Sequence, residues 1–233
     1  MLKNSTKVST PKLQIMAALG RIMSDTLFVI EEDVSQHPDG SSVTHLDRKK
    51  VFAWSDAARA YWQEHGPAPS CWPYRNFPYI RVGISRRMPF LDYFHCGSFS
   101  LVSKRLRNIL HETLSTGEIE FHPAKVIRGF FSQRDYFVCN VLAASNPIDM
   151  PVSQITYFPP EAGGGIMHFE DVRVKTDFVP SHELFAVEDY ESMIVMTSSM
   201  KRKLVASGIS GVRYVPLEGY NWLRRTRDGE QSA

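Results

Sequence analysis

The residues from His168 to Asp171, "HFED", set an imidazole beside two carboxylates. On a strand His168 and Glu170 point to the same face, so the pair could hold a metal or pass a proton. No third ligand and no nucleophile stands at a telling spacing, and a solvated strand edge is the better reading. His95 and Cys96, in "HCGS", join imidazole and thiol in sequence. Catalysis by such a pair needs adjacency in space, and neighbours on a strand face opposite ways. "HETLS", from His111, opens like a zinc metalloprotease helix, but Ser115 stands where the second imidazole belongs. The glycines 163–165 lack the Gly-Lys-Ser/Thr of a phosphate loop and precede an apparent strand. The residues therefore supply no catalytic set, no metal site and no cofactor site, and the chain does not read as an enzyme.

Two basic clusters remain: Lys104, Arg105 and Arg107, and Lys201, Arg202 and Lys203. Side by side they could line one surface and suit phosphate. That is the alternative function, a nucleic-acid-binding or regulatory accessory protein. No ribonucleoprotein motif, helix-turn-helix signature or aromatic platform accompanies them. A solvated basic face is the preferred reading.

The elements that carry these clusters are written twice. "SLVSKRLRNIL" (100–110) is answered by "IVMTSSMKRKL" (194–204). Ser103 and Thr197 stand where an N-cap is wanted, since a hydroxyl can accept from an unpaired first-turn N–H. Leu106 and Leu110 match Met200 and Leu204 at helical spacing, with Ile109, Thr113 and Leu114 extending the first stripe. A glycine stop and a strand follow each helix, and Phe121-His122-Pro123 matches Tyr214-Val215-Pro216. An old duplication is the simplest account. The predicted fold class is α+β, a mixed or antiparallel sheet with two duplicated strand–helix–strand units over 99–127 and 193–217. Further strands are predicted at 26–34, 79–84, 134–145, 152–158 and 166–175, with a helix at 54–66. The prolines between Pro67 and Pro78 mark the best internal boundary. The predicted division is an N-terminal α+β segment, 1–75, that packs on the rest; a main domain, 76–223; and a disordered tail, 224–233.

Composition excludes the extreme classes. The 233 residues are 43% hydrophobic and 22% charged with net charge +2, enough apolar content for a sizeable core and too mild a charge to argue for nucleic acid. Three scattered cysteines give neither a disulfide framework nor a zinc pattern. No apolar run approaches the roughly 20 residues of a membrane span. The N-terminal lysines and the run Leu13–Leu19 resemble a signal peptide, but Gln14 and Arg21 interrupt it, so an amphipathic helix is expected there. A cytoplasmic protein is the expectation. Aromatics and a long irregular proline-rich stretch suit a chain that binds another protein.

From about Leu91 to Tyr220 the chain resembles a bacterial immunity-protein family of polymorphic toxin systems, formerly a domain of unknown function. "LVSKRLRNIL", "IEFHPAKV", "DYFVCNVL" followed by "PID", "LFAV" and "MTSSMKRKLVASGISGVRYVP" carry the resemblance. Ser103, Leu106, Leu110, Pro123, Tyr136, Asn140, Asp149, Gly211 and Tyr214 fall on the family's positions; Thr197 replaces a second capping serine. The resemblance implies an antitoxin that binds and neutralises a cognate secreted toxin, and the lack of a signal peptide suggests a toxin acting in the cytoplasm. It implies no catalytic residue and no cofactor. Contact residues of an inhibitor belong on loops and edges that can change. Two segments qualify: the aromatic connection with Trp72, Tyr74 and Phe77, and "EAGGGIMHFED" with Glu161, His168, Glu170 and Asp171. "EEDV" (31–34) is a second acidic candidate.

Overall fold

Ser103 ends a strand, Thr197 directly follows one, and each opens a helix. Each has extended backbone, and each hydroxyl accepts from the amide three residues on, Leu106 N at 3.2 Å and Met200 N at 3.3 Å. The helices they cap are α1, Lys104–Thr113, and α2, Ser198–Ala206. Leu106, Leu110, Met200 and Leu204 are all buried, as their spacing predicts.

The structure is a computed structural model that describes residues 26–37, 43–46, 77–96, 99–129, 132–162 and 165–223. The predicted helix at 54–66, the N-terminal helix, Trp72, Tyr74 and the tail lie outside these residues. The strands run in chain order as β1 (Phe28–Glu32), β2 (Thr44–His45), β3 (Ile80–Ile84), β4 (Tyr93–Cys96), β5 (Phe99–Ser103), β6 (Ile119–Arg128) and β7 (Ser132–Val141). After these come β8 (Ala144–Ser145), β9 (Gln154–Tyr157), β10 (Ile166–Asp171), β11 (Leu184–Val187), β12 (Tyr190–Met196) and β13 (Val212–Pro216).

Two mixed sheets result, making the protein α+β. The first has the order β2-β3-β6-β7-β5-β4 and the second β13-β1-β12-β11-β8, while β9 and β10 form a separate ribbon. β5 and β6 both run antiparallel to β7 between them. β12 and β13 both run antiparallel to β1 between them. Each helix thus crosses between two strands separated by an inserted third. A hairpin strand flanks each unit, β4 beside β5 and β11 beside β12. The strand between β12 and β13, β1, comes from the N-terminal segment, so residues 28–32 are integral to the second sheet.

Strand alternation divides the interior into three. On β5, Leu101 faces the outer core of the first sheet and Val102 the inner one. In the second sheet Val29 and Val195 face outward, and Phe28 and Met196 inward. The inner core holds the stripes of both helices with side chains of both sheets, so it joins the two units.

Polar contacts lock that junction. Asp92, just before β4, receives the Ser103 hydroxyl at 2.6 Å, Arg105 Nη2 at 2.6 Å, and both the amide and the hydroxyl of Ser210, at 3.0 and 2.9 Å. Ser210 belongs to the loop after α2. Across the junction, Glu183 just before β11 accepts from the Thr197 hydroxyl, and its carbonyl accepts from Thr197 N at 3.0 Å. His182 beside it pairs at 2.6 Å with Glu118, in the loop after α1. Gly211, at φ 82°, must be glycine: a Cβ there would run into the Tyr93 carbonyl oxygen.

Burial alone would raise the Asp92 carboxyl. The bonds from Ser103, Ser210 and Arg105 outweigh it and hold the group below its usual 3.8. A depressed acid stabilises the fold above its unfolded value, and that contribution disappears as pH falls through the folded value. Asp92→Asn is therefore expected to lower the urea midpoint at pH 7, with the gap to wild type narrowing on acidification to pH 3. A gap independent of pH would mean that the charge at position 92 contributes nothing. Leu110→Ala, a core truncation, is expected to cost about 2–5 kcal/mol in the same unfolding measurement.

Candidate functional site

The β9–β10 ribbon carries most of the predicted contact residues. Its register sets Tyr157 opposite Ile166, Thr156 opposite His168, Ile155 opposite Phe169 and Gln154 opposite Asp171, with irregularities after Ile166 and after Phe169. Phe169 is fully buried in the outer core of the second sheet, and Ile155 and Ile166 pack against the same core. The Phe169 ring meets Tyr190 edge-on at 5.1 Å, and Tyr190 Oη donates to the Met167 carbonyl at 3.3 Å. The ribbon is thus pinned by one apolar face and leaves polar groups outward.

His168 stacks on Trp222 at 5.7 Å, and its Nε2 lies 3.3 Å from Glu170 Oε1. The Thr156 hydroxyl donates to the same oxygen at 2.5 Å. The Thr156 bond is the main reason the Glu170 carboxyl sits below its usual 4.5, with His168 reinforcing it. Asp171 pairs with Arg173 at 2.6 Å, and Arg173 reaches Glu218 at 3.2 Å. His168 and Glu170 therefore come together as a fixed, partly exposed pair, while Asp171 is engaged separately by Arg173. Among the described residues no three His, Cys, Asp or Glu side chains gather as a metal site requires. Glu161 lies exposed on a short 3-10 turn, Pro160–Ala162, at the loop end of the ribbon.

Phe77 packs on a different core from the ribbon. It is half-buried, edge-on to Phe99 at 5.1 Å and 5.3 Å from the His122 ring, and packs on the outer core of the first sheet. Glu31, in the second acidic candidate, is also engaged inside. It is buried, bound by the Arg213 guanidinium, and accepts from Tyr220 Oη at 2.7 Å.

The basic clusters do not form one open strip. Arg105 is held by Asp92 and donates to the Gly208 carbonyl. Arg107 lies over the Phe137 ring at 4.6 Å and the Phe121 ring at 5.7 Å. Lys201 lies over Phe28 at 3.7 Å and Tyr214 at 5.9 Å. Cations over ring faces are held by the quadrupole, so these two seal the helices onto their strands. Lys104, Arg202 and Lys203 stay exposed.

Sequence reasoning passed over three exposed apolar residues of the ribbon, Tyr157, Phe158 and Met167. The adjacent "YF" before two prolines was the available signal.

The model of a protein family described as "Immunity protein family (Imm11)" matches residues 31–218, well over half of the chain. The match starts upstream of Leu91 and takes in the last two residues of β1, Glu31 and Glu32. No curated protein matches the sequence.

Thr156→Val removes the main donor to Glu170 while keeping the side-chain shape. The Glu170 carboxyl is expected to titrate at higher pH in that variant, followed through its side-chain carbon by NMR. An unchanged titration would show that Thr156 does not hold this carboxylate.

Proposed function

The chain belongs to the Imm11 immunity protein family, and from that premise we propose that it is the antitoxin of a toxin–immunity pair. It binds a cognate secreted toxin that acts in the cytoplasm, and it neutralises that toxin there by occupancy rather than by turnover. The family match over 31–218 carries this reading. The ribbon geometry supports it: His168, Glu170 and Asp171 are held rigidly by hydrogen bonds and ion pairs at a partly open face, as contact residues should be. The ion pair that ties Arg105 to Asp92, and the half-buried placement of Arg107 and Lys201 over aromatic rings, argue against a nucleic-acid surface built from the basic helices.

We also infer that the two strand–helix–strand units descend from a duplication. The matching order of strands β4-β5-β7-β6 and β11-β12-β1-β13 supports this, as do the paired caps and the acid that binds each cap. The middle strand enters from opposite ends of the chain, following the first unit and preceding the second. A scaffold of two mutually locked units can hold variable loops and edges without losing its core.

The test is co-expression with the toxic domain encoded beside this gene. Wild type is expected to restore growth and to form a one-to-one complex that withstands gel filtration. A chain that restores growth without binding the domain, or that binds DNA with a steep salt dependence and ignores the domain, would overturn the reading.

A further inference from the structure

The loop end of the ribbon exposes more apolar surface than the fold explains. Tyr157 is 51% exposed, Phe158 43% and Met167 46%. Scattered apolar residues on a surface need no explanation, but grouped ones mark interaction sites. These three are grouped. Tyr157 pairs with Ile166, next to Met167, and Phe158 N donates to the Gly165 carbonyl at 2.8 Å. The inner residues Ile155, Ile166 and Phe169 already satisfy the outer core of the second sheet. Tyr157, two residues from Ile155 and opposite Ile166, continues their face beyond the core, and none of the three exposed residues belongs to that core.

The ribbon segment itself carries charge of one sign, and the nearby Arg173 is taken up by Asp171 and Glu218. From 154 to 171 the chain has Glu161, Glu170 and Asp171 and no lysine or arginine. The turn Glu188–Asp189, exposed and immediately before Tyr190, adds carboxylates beside the ribbon, because Tyr190 bonds to the Met167 carbonyl. Such a rim repels nucleic acid and anionic lipid surfaces, and it attracts a protein face rich in lysine and arginine. Both ribbon edges are unpaired by other described strands, so backbone groups are also available there.

We infer that the loop end of the β9–β10 ribbon is the toxin-contacting surface, with Tyr157, Phe158 and Met167 as its apolar centre and Glu161, Glu188 and Asp189 as its acidic rim. The partner face it fits is an apolar pocket ringed by cations. This assignment rests on the proposal that the chain works by binding a toxin. It adds which face binds and what chemistry the toxin presents.

The experiment uses the full chain and the toxin domain that it rescues. Tyr157→Ala/Phe158→Ala is expected to weaken binding by about 30-fold or more, as loss of central aromatic contacts does, with the melting temperature unchanged. Glu161→Lys, on an exposed turn, is expected to slow association several-fold at low salt and much less at high salt. Hydrogen exchange on the wild-type complex, which needs no variant, is expected to show protection across 154–171. Wild-type binding with no protection there, or with both variants binding as tightly as wild type, overturns the surface while leaving the immunity reading intact. Failure of wild type itself to bind the domain overturns that reading and the surface with it.

Discussion

Asp92 accepts from four donors that reach it from separate parts of the chain: the cap of α1, the first turn of α1, and the backbone and hydroxyl of Ser210 after α2. A buried carboxylate without donors is costly, by several kcal/mol once desolvated. Those donors converge only when the second unit is docked on the first. The acid therefore rewards one relative placement of the two units and penalises the others. The inner core alone would be less selective, because apolar surfaces slide over one another at modest cost. Hydrogen-bond geometry at Asp92 supplies the register that leucine and methionine packing does not.

The same logic acts in the other direction. Glu183 takes the Thr197 hydroxyl as Asp92 takes that of Ser103, and in each case the acid's own carbonyl receives the cap's amide. A capping hydroxyl that accepts from the helix and donates to a carboxylate uses its hydrogen and its lone pair at once. The negative charge also sits near the helix N-terminus, where the helix dipole favours it. This offsets the lysines and arginines that each helix carries in its first turns. Glu118 and His182 close the reciprocal link, with the His182 bond as the first reason that the Glu118 carboxyl lies below its usual 4.5. Each unit thus holds the loop that follows the other unit's helix.

Much of this architecture was legible because its signals are local. A capping hydroxyl three residues ahead of a buried leucine, a glycine stop and an alternating strand lie within one short window, so α1, α2 and most strands follow from the residues. Asp92 and Glu183 were not legible as partners of the caps. They stand 11 and 14 residues upstream, and only the hairpins β4–β5 and β11–β12 bring them back. The basic clusters misled for a related reason. Arg107 and Lys201 look solvated beside their charged neighbours, yet the helix turn points them at rings on strands distant in sequence. Glu31 misled in the same way: an acidic run reads as surface, but strand alternation turns this carboxylate in toward Arg213 and Tyr220. In the candidate site, the grouping of His168 with Glu170 could be read from period-two spacing. The donor from Thr156 required the ribbon's pairing.

The two sheets do not present equivalent outer faces, and that difference bears on where change can be tolerated. On the second sheet, the ribbon covers the outer core through Phe169, Ile155 and Ile166 and is tied down by Tyr190 and Trp222. A strand that satisfies the core with one set of side chains leaves fewer folding constraints on its other set. Substitutions among the outward residues therefore change the surface without changing the core or the Asp92 and Glu183 locks. An inhibitor facing a changing partner needs this separation, since most substitutions that touch a core destabilise it. Phe77 shows the contrast: its ring is fitted against Phe99 and His122, and altering it would disturb packing before it altered any contact outside.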